Sequence, residues 1–546
     1  MRTTARTTAR TTLRHLARFA TVLPPVLACA RIAVAQEPPV IDSIVIERQD
    51  LFTDEQAANS PFAALFNSLH VTTQTFVIRQ ELLFDVGDRY DSLVLDESER
   101  NLRRRGLFRS VRVDTATINE KLTARVISRD AWSLLPRISL QIASDGRLTG
   151  SFGVTETNVA GTGNRLRLWY VREADRDGIV LSGSVPRIGG SNIAASASWA
   201  SLSDLGSGFW NVASPFRSNS SRESFFYGGE RFDGRVRQYR ALDATLADTT
   251  DYHRRAFINR VFYTYAPVAR PEGYLRIGVS AEVRREEYLL TPNEAIDRDS
   301  IFSLVPDTLY AQMSVFAEYR GSRFVRMGRF NGFTEEDQDL SNLVFVSAAL
   351  APTLLGYERT GLGARMVLRS GVRAGRTLLK GVVDANALFN SAGLDSGRVV
   401  ATGTMAIRTA ARHSSFFQVS GGVMERPPPG GEFDLGFQIL PRLWGPHAFV
   451  GTRSVRMTFE HRYFVWDNIG DIIGVGFAGF VDYGGAWYKD QEPRMGGNAG
   501  MSVFFGSPLS SLAQINHLSA GYQFGGGVEE SGRSRWVFTL GSGIIF

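Results

Sequence analysis

Seven histidines (His15, His70, His253, His413, His447, His461 and His517) are the side chains of this sequence best suited to metal or proton chemistry. None stands in an H-x-x-x-H or H-E-x-x-H spacing, the arrangements that put two ligands on one helical face, so no metal site is expected. A hydrolytic nucleophile would announce itself as G-x-S-x-G, and that pattern is absent. Gly161-Thr162-Gly163 matches part of a dinucleotide fingerprint but lacks its third glycine. It lies between two alternating stretches, the setting of a tight hairpin turn. The single cysteine, Cys29, falls in the first 35 residues, which leaves the remainder without disulfide, thiolate-metal or thiol chemistry. Arg103-Arg104-Arg105 ends a predicted helix, where its charge complements the helix dipole. These residues predict no enzyme and no cofactor.

Composition narrows the class further. The formal charge of +6 comes from 61 Lys and Arg against 55 Asp and Glu. Residues 1–35 hold six arginines and no acid, so the rest carries 55 basic against 55 acidic residues. The basicity belongs to that segment alone, and no electrostatic footprint for nucleic acid remains. Residues 1–35 run from an Arg/Thr-rich stretch through FATVLPPVLACARIAVA to Ala33-Val34-Ala35. This is the pattern of a secretory signal peptide cleaved after a small-x-small site made by Ala33 and Ala35. An Arg-rich transit peptide and a lipoprotein signal at Val26-Leu27-Ala28-Cys29 are the alternatives. No later run of 18 apolar residues exists. A membrane-spanning form would therefore cross with strands, because lipid satisfies no backbone hydrogen bond.

Two regions of different hydrophobic period must position whatever acts. Residues 37–132 read as a small α+β domain of order β-α-α-β-β. A strand is expected at Val40–Glu47 and a helix at Thr75–Phe84, with a polar insertion carrying a Phe/Leu cluster at Pro61–Leu69 between them. A second helix is expected at Ser92–Arg105, then strands at Phe108–Thr117 and Lys121–Ser128. From residue 133 to 546 the period is two. In Leu275–Val283 the odd positions are Leu, Ile, Val, Ala and Val, while Arg276, Ser280 and Glu282 fall between them. Ala311–Arg320 and Val455–Tyr463 repeat the pattern. Similar stretches lie near 147–157, 164–172, 177–185, 192–201, 256–266, 342–352, 363–373, 378–390, 398–409, 415–423, 472–483, 498–505, 515–524 and 535–546, fourteen to eighteen in all. Strands of about ten residues with one apolar and one charged face suit a transmembrane barrel. The last stretch places Trp536, Phe538, Leu540, Ile544 and the terminal Phe546 on one face.

At this point the chain resembles a known family. Residues 75–113, with Gly87-Asp88-x-Tyr90, the helix end Leu102–Gly106 and Phe108 ahead of Val111 and Val113, look like a polypeptide-transport-associated (POTRA) domain. Thr155–Leu166 (TETNVAGTGNRL, with Asn158, Gly161 and Gly163), Phe480–Trp487 (FVDYGGAW) and the strand ending in Phe546 resemble the BamA-type superfamily of outer-membrane assembly and translocation barrels, the bacterial surface antigens. The resemblance implies an all-β transmembrane barrel of about 16 antiparallel strands preceded by one periplasmic POTRA domain. It also implies a long loop folded into the lumen, whose apolar-Arg-Gly-aromatic motif pairs with acids of the inner wall. Here Pro427–Gly451 is the matching loop and Arg442-Leu443-Trp444-Gly445 the matching motif, with Leu443 in place of the glycine. Glu460 and Asp482 are the acids this assigns, and each falls on the polar face of its own strand. In the other reading, Arg442 is an ordinary solvated loop arginine.

The function implied is insertion or translocation of proteins at the outer membrane of a Gram-negative-type bacterium. The POTRA domain would capture unfolded or secreted clients by strand addition, Val40–Glu47 being a candidate edge. A weak seam between a first strand near 147–157 and the last strand would release them. The partners implied are outer-membrane lipid, client proteins and accessory lipoproteins, and no nucleic acid. A translocator for one dedicated substrate and a passive pore are the alternatives.

Overall fold

The computed structural model describes residues 38–546 apart from 143–147, 174–175, 239–249, 291–307, 429, 437–438, 471, 511–514, 527–534 and 543–546. The leader, with Cys29, Ala33 and Ala35, and the terminal residues Ile544 and Phe546 lie outside the described residues. Val40–Phe546 forms one compact unit.

The unit begins with a three-stranded sheet: β1 (Ser43–Gln49), β2 (Phe108–Ile118) and β3 (Lys121–Asp130), in the order β1-β3-β2. β1 runs parallel to β3, and β2 antiparallel to it. Four helices connect β1 to β2: α1 (Asp54–Asn59), α2 (Pro61–Leu69), α3 (Thr75–Arg79) and α4 (Ser92–Arg104). Two of them, α1 and α2, occupy the stretch read from sequence as a polar insertion. A capping box between Thr53 and Gln56 starts α1, while Ser60 at the N-cap and Pro61 start α2. The helix expected over Thr75–Phe84 stops at Arg79. Ile78, Leu95, Leu102, Phe108, Val111 and Val126 meet in the core beneath the sheet. Apolar residues of α4 and alternate residues of β2 and β3 supply it, as their periods require.

Twenty strands, from Leu134–Ile142 to Trp536–Ser542, then close into a barrel. The expectation of about 16 strands is corrected to 20. Three strands had left no readable alternation: Leu134–Ile142, Leu205–Ser214 and Glu223–Gln238. The first contains Pro136, the second Gly206 and Gly208, and the third Gly228, Gly229 and Gly234. A glycine has no side chain to mark a face, and proline is a poor strand residue, so the two-residue period is interrupted there. Apolar side chains point outward. Leu309, Met313, Val315 and Tyr319 of Thr308–Gly321 are each more than half exposed. Charges point inward and pair across strands, as Arg260 does with Glu282 (2.5 Å) and Arg254 with Glu286 (2.7 Å). A water-soluble sheet would bury the apolar face, and this one displays it.

Among the described residues two insertions leave this regular pattern. Residues 322–341 carry a hairpin, Phe324–Gly328 with Glu335–Asp339, at the end of the barrel from which the first strand starts. Residues 426–452 carry a second hairpin, Phe433–Leu435 with Phe449–Gly451, at the opposite end.

Candidate functional site

The Arg442 loop is docked on the inner wall. Arg442 donates through Nε to Asp482 Oδ2 (2.8 Å), through Nη2 to Asp482 Oδ1 and to Thr458 Oγ1 (both 3.0 Å), and through Nη1 to Glu460 Oε2. Its backbone N–H also reaches Asp482 (3.1 Å). Asp482 and Glu460 are fully buried, so both carboxylates depend on protein partners for the solvation they have lost. Asp482 additionally accepts from Thr458 Oγ1 (2.7 Å) and Asn498 Nδ2 (2.9 Å). The planar fork of arginine suits this two-carboxylate cradle as an ammonium would not. Its guanidinium lies 4.1 Å from the Phe480 ring centroid.

The rest of the motif is anchored as well. Leu443 is fully buried against Phe480 and Val537. Its N–H donates to Asn498 Oδ1 (3.3 Å) and its carbonyl accepts from Gln523 Nε2 (2.8 Å). Trp444 Nε1 donates to the Gly497 carbonyl (3.1 Å). The space for Leu443, where the family pattern has glycine, comes from the wall: a Cβ on Gly521 would stand 2.5 Å from Leu443 Cδ1.

The pairing continues across the lumen. Arg462, fully buried, donates through Nε to Glu460 Oε1 (2.5 Å) and through Nη1 to the Phe330 carbonyl (3.2 Å) at the tip of the 322–341 hairpin. Phe330 packs edge-on against Phe416 of the wall, and Phe333 against Phe464. The middle rung of the same hairpin holds α4: Arg103 is bidentate to Asp337 (2.8 and 3.1 Å), and Arg326 pairs with Glu99. One line of charge-assisted contacts therefore runs from α4, through the hairpin, Arg462 and Glu460, to the Arg442 loop.

The first barrel turn is a joint with the N-terminal region. Asn158 Oδ1 accepts from the Gly163 N–H (2.7 Å), closing the turn, and its Nδ2 donates to Thr73 Oγ1 (2.9 Å). Thr73 donates in turn to Asp130 through N (2.6 Å) and Oγ1 (2.9 Å). Gly161 and Gly163 both have positive φ, and a Cβ on Gly161 would meet the Thr72 carbonyl at 2.7 Å. Further contacts tie the two parts: Arg187 to Glu81 (3.0 Å), and the Asn219 N–H to Glu97 (2.7 Å). Of the other predicted residues, Gly87 and Gly106 supply positive-φ turns, Leu102 and Phe108 are core, and Tyr90 packs against that core.

Barrel closure is uneven. Leu134–Ile142 and Trp536–Ser542 share three residue pairs among the described residues: Leu140–Leu540, Gln141–Thr539 and Ile142–Phe538. The ladders on either side have nine and seven. The seam expected at 147–157 thus belongs to Leu134–Ile142. Trp536 and Phe538 face outward, each 60% exposed, in keeping with their shared parity.

Sequence reasoning reached Arg442, Trp444, Glu460 and Asp482, and the structure brings all four together. It missed Thr458, Asn498 and Gln523 as partners, and the 322–341 hairpin as the far end of the chain. Thr458 and Arg462 share strand parity with Glu460, and Asn498 is the register partner of Asp482, so parity carried a signal for these three. Among the described residues no cluster of His, Cys, Asp and Glu could hold a metal.

This is a closed β-barrel with an apolar outer face, a folded N-terminal region and an internally locked loop. Solved structures similar to it include CdiB from Escherichia coli (8% identity, 95% of this chain and 94% of that chain, TM-score 0.44). Others are CdiB from Acinetobacter baumannii (12%, 92% and 74%, 0.43) and BamA from Haemophilus ducreyi lacking POTRA domains 1–3 (11%, 92% and 85%, 0.39). At these identities and scores the similarity concerns the barrel fold alone. No protein-family model and no curated protein matches the chain.

Proposed function

We propose that this protein inserts or translocates other proteins at the bacterial outer membrane, with its N-terminal region acting as a periplasmic POTRA domain. The observation that carries the reading is the seam, where the closing strands share three pairs among the described residues. A barrel built only to be a wall gains by pairing its closing strands fully, because an unpaired edge in lipid leaves backbone groups unsatisfied. A short ladder there leaves an edge on which an incoming strand can pair. β1 supports the other half of the mechanism. It forms one edge of its sheet, so an extended client can add to it through backbone hydrogen bonds that read no sequence. The line of contacts from α4 to Arg442 gives client capture at the N-terminal region a route to the loop beside the seam.

The passive-pore alternative is disfavoured by the lumen, which the Arg442 loop enters from one end and the 322–341 hairpin from the other. Single-channel recording separates the two: small, irregular openings fit an assembly barrel, and a large steady conductance fits a pore. The proposal itself is tested by depleting the protein in its host and quantifying the outer-membrane proteome. A broad fall in barrel proteins supports a general assembly factor, and loss of one or a few surface or secreted proteins a dedicated translocator. An unchanged proteome refutes both.

A further inference from the structure

Helix α2 carries a face that neither the fold nor the proposed function uses. No Asp, Glu, Lys or Arg occurs between Glu55 and Arg79, in a chain that is 21% charged. α2 (PFAALFNSL) lies within that stretch. Its inner face is tied down: Ala63 is buried with Leu51, Phe52 and Leu509, and Phe66, Trp132 and Ile472 pack against them. The Asn67 amide fixes the helix by exchanging two hydrogen bonds with the Phe52 backbone (2.9 and 3.1 Å). The outer face is apolar and open, with Phe62 39%, Leu65 53% and Leu69 63% exposed, and Val71 continues it.

What this face meets follows from where the helix is fixed. Leu509 and Ile472 lie in turns at the ends of Met495–Gly506 and Ile473–Trp487, on the side of the barrel from which the first strand starts. Trp132, whose ring is 4.8 Å from that of Phe66, stands two residues before the first strand. At the same rim the outward band of the barrel includes Trp466, Ile469 and Leu134, all exposed. The open face of α2 is thus held at the same end of the barrel as these exposed apolar residues. Aromatic residues gather there, as they do at the boundary between hydrocarbon and headgroups.

We propose that α2 is an interfacial helix that buries Phe62, Leu65 and Leu69 in the periplasmic leaflet beside the seam. The inference rests on the barrel lying in a membrane. Interfacial helices commonly combine an apolar face with basic residues that attract anionic lipid. α2 has no charge, so its contact is with acyl chains and is insensitive to headgroup charge. A partner protein or a second copy of the chain could instead cover this face, and the experiment distinguishes that case.

The test uses the full chain in a Cys29→Ser background, with single cysteines at Leu65, Val315 or Arg112, each labelled with an environment-sensitive fluorophore. The proteins are reconstituted in phosphatidylcholine vesicles with and without lipid carrying a nitroxide near the headgroup. Val315 is on the outward barrel face, and Arg112 is an exposed side chain of the N-terminal sheet. The expected result is quenching of at least about twofold at Leu65, alongside quenching at Val315 and none at Arg112. Replacing half the lipid with phosphatidylglycerol should leave it unchanged. Quenching at Val315 but not at Leu65 overturns the inference and leaves the face to a protein partner. Equal quenching at Leu65 and Arg112 overturns it also, as contact without preference for α2. No quenching at Val315 overturns the membrane reading itself. A Leu69→Cys protein repeats the measurement if Leu65→Cys fails to show heat-modifiable migration.

Discussion

Replacing Arg442 with alanine removes the cation that, among the described residues, Asp482 and Glu460 share. Both carboxylates are fully buried, and breaking a buried ion pair from one side costs about 3–5 kcal/mol, because the partner stays desolvated and unpaired. Here the loss falls at the lower end. Glu460 keeps Arg462, and Asp482 keeps Thr458 and Asn498. A cost of about 3 kcal/mol raises the undocked population of the loop by roughly two powers of ten. The assay is protease added to the outside of intact cells or oriented vesicles, with cleavage mapped by mass spectrometry. Arg442→Ala should give new cuts within 427–446 while the barrel stays heat-modifiable. Arg442→Lys keeps the charge but not the fork, and should fall between wild type and alanine. An unchanged cleavage rate in Arg442→Ala would refute the reasoning, since it would mean the loop is held by the Leu443 and Trp444 contacts alone.

Three further outcomes follow from the same geometry. Arg462→Met should raise hydrogen exchange at 329–332 and at 442–444 together, since it cuts the link between the hairpin and Glu460; loosening confined to the hairpin would show that the two insertions are independent. Asn158→Ala leaves the Gly163 N–H without its acceptor in a buried turn, a cost of about 1–3 kcal/mol, and exchange should rise at both 161–163 and 73–74. Burial pushes the Glu97 carboxyl above its usual range, against the Asn219 N–H and nearby arginines. Its ionised form is therefore the disfavoured one in the folded state, and stability should rise as pH falls from above through that raised value toward the ordinary carboxylate range. Glu97→Gln should remove this contribution from the pH profile of unfolding, and an unaltered profile would contradict it.

The barrel was legible wherever side chains alternate without interruption. It was illegible where glycine or proline breaks the count, as at Leu134–Ile142, Leu205–Ser214 and Glu223–Gln238, and those three segments are the barrel strands that the alternating stretches left out. Thr250–Arg270 shows the related limit: only 256–266 was read, because pairing continues past the apolar part of the strand. In the N-terminal region, Leu95 and Leu102 fixed α4, but α1 and α2 were missed. Six and nine residues are too few for a helical period to stand out, and their caps are the better signal. Of the site, the acids were readable because parity assigns a face. Resemblance supplied the loop, and the structure shows how its departure is absorbed, with Gly521 making room for Leu443. The hairpin at 322–341 had no signal, since its partner Arg462 is 132 residues away in sequence, counted from Phe330.

The central claim is that the seam between Leu134–Ile142 and Trp536–Ser542 opens during function, and locking it tests that most directly. Leu140 and Leu540 are register partners, so Leu140→Cys with Leu540→Cys in a Cys29→Ser background should form a disulfide across the seam. The locked protein should reach the membrane and migrate as a folded barrel, yet fail to restore the outer-membrane proteome of depleted cells until a reductant is added. Full restoration with the disulfide intact would contradict the claim and remove lateral opening from the mechanism.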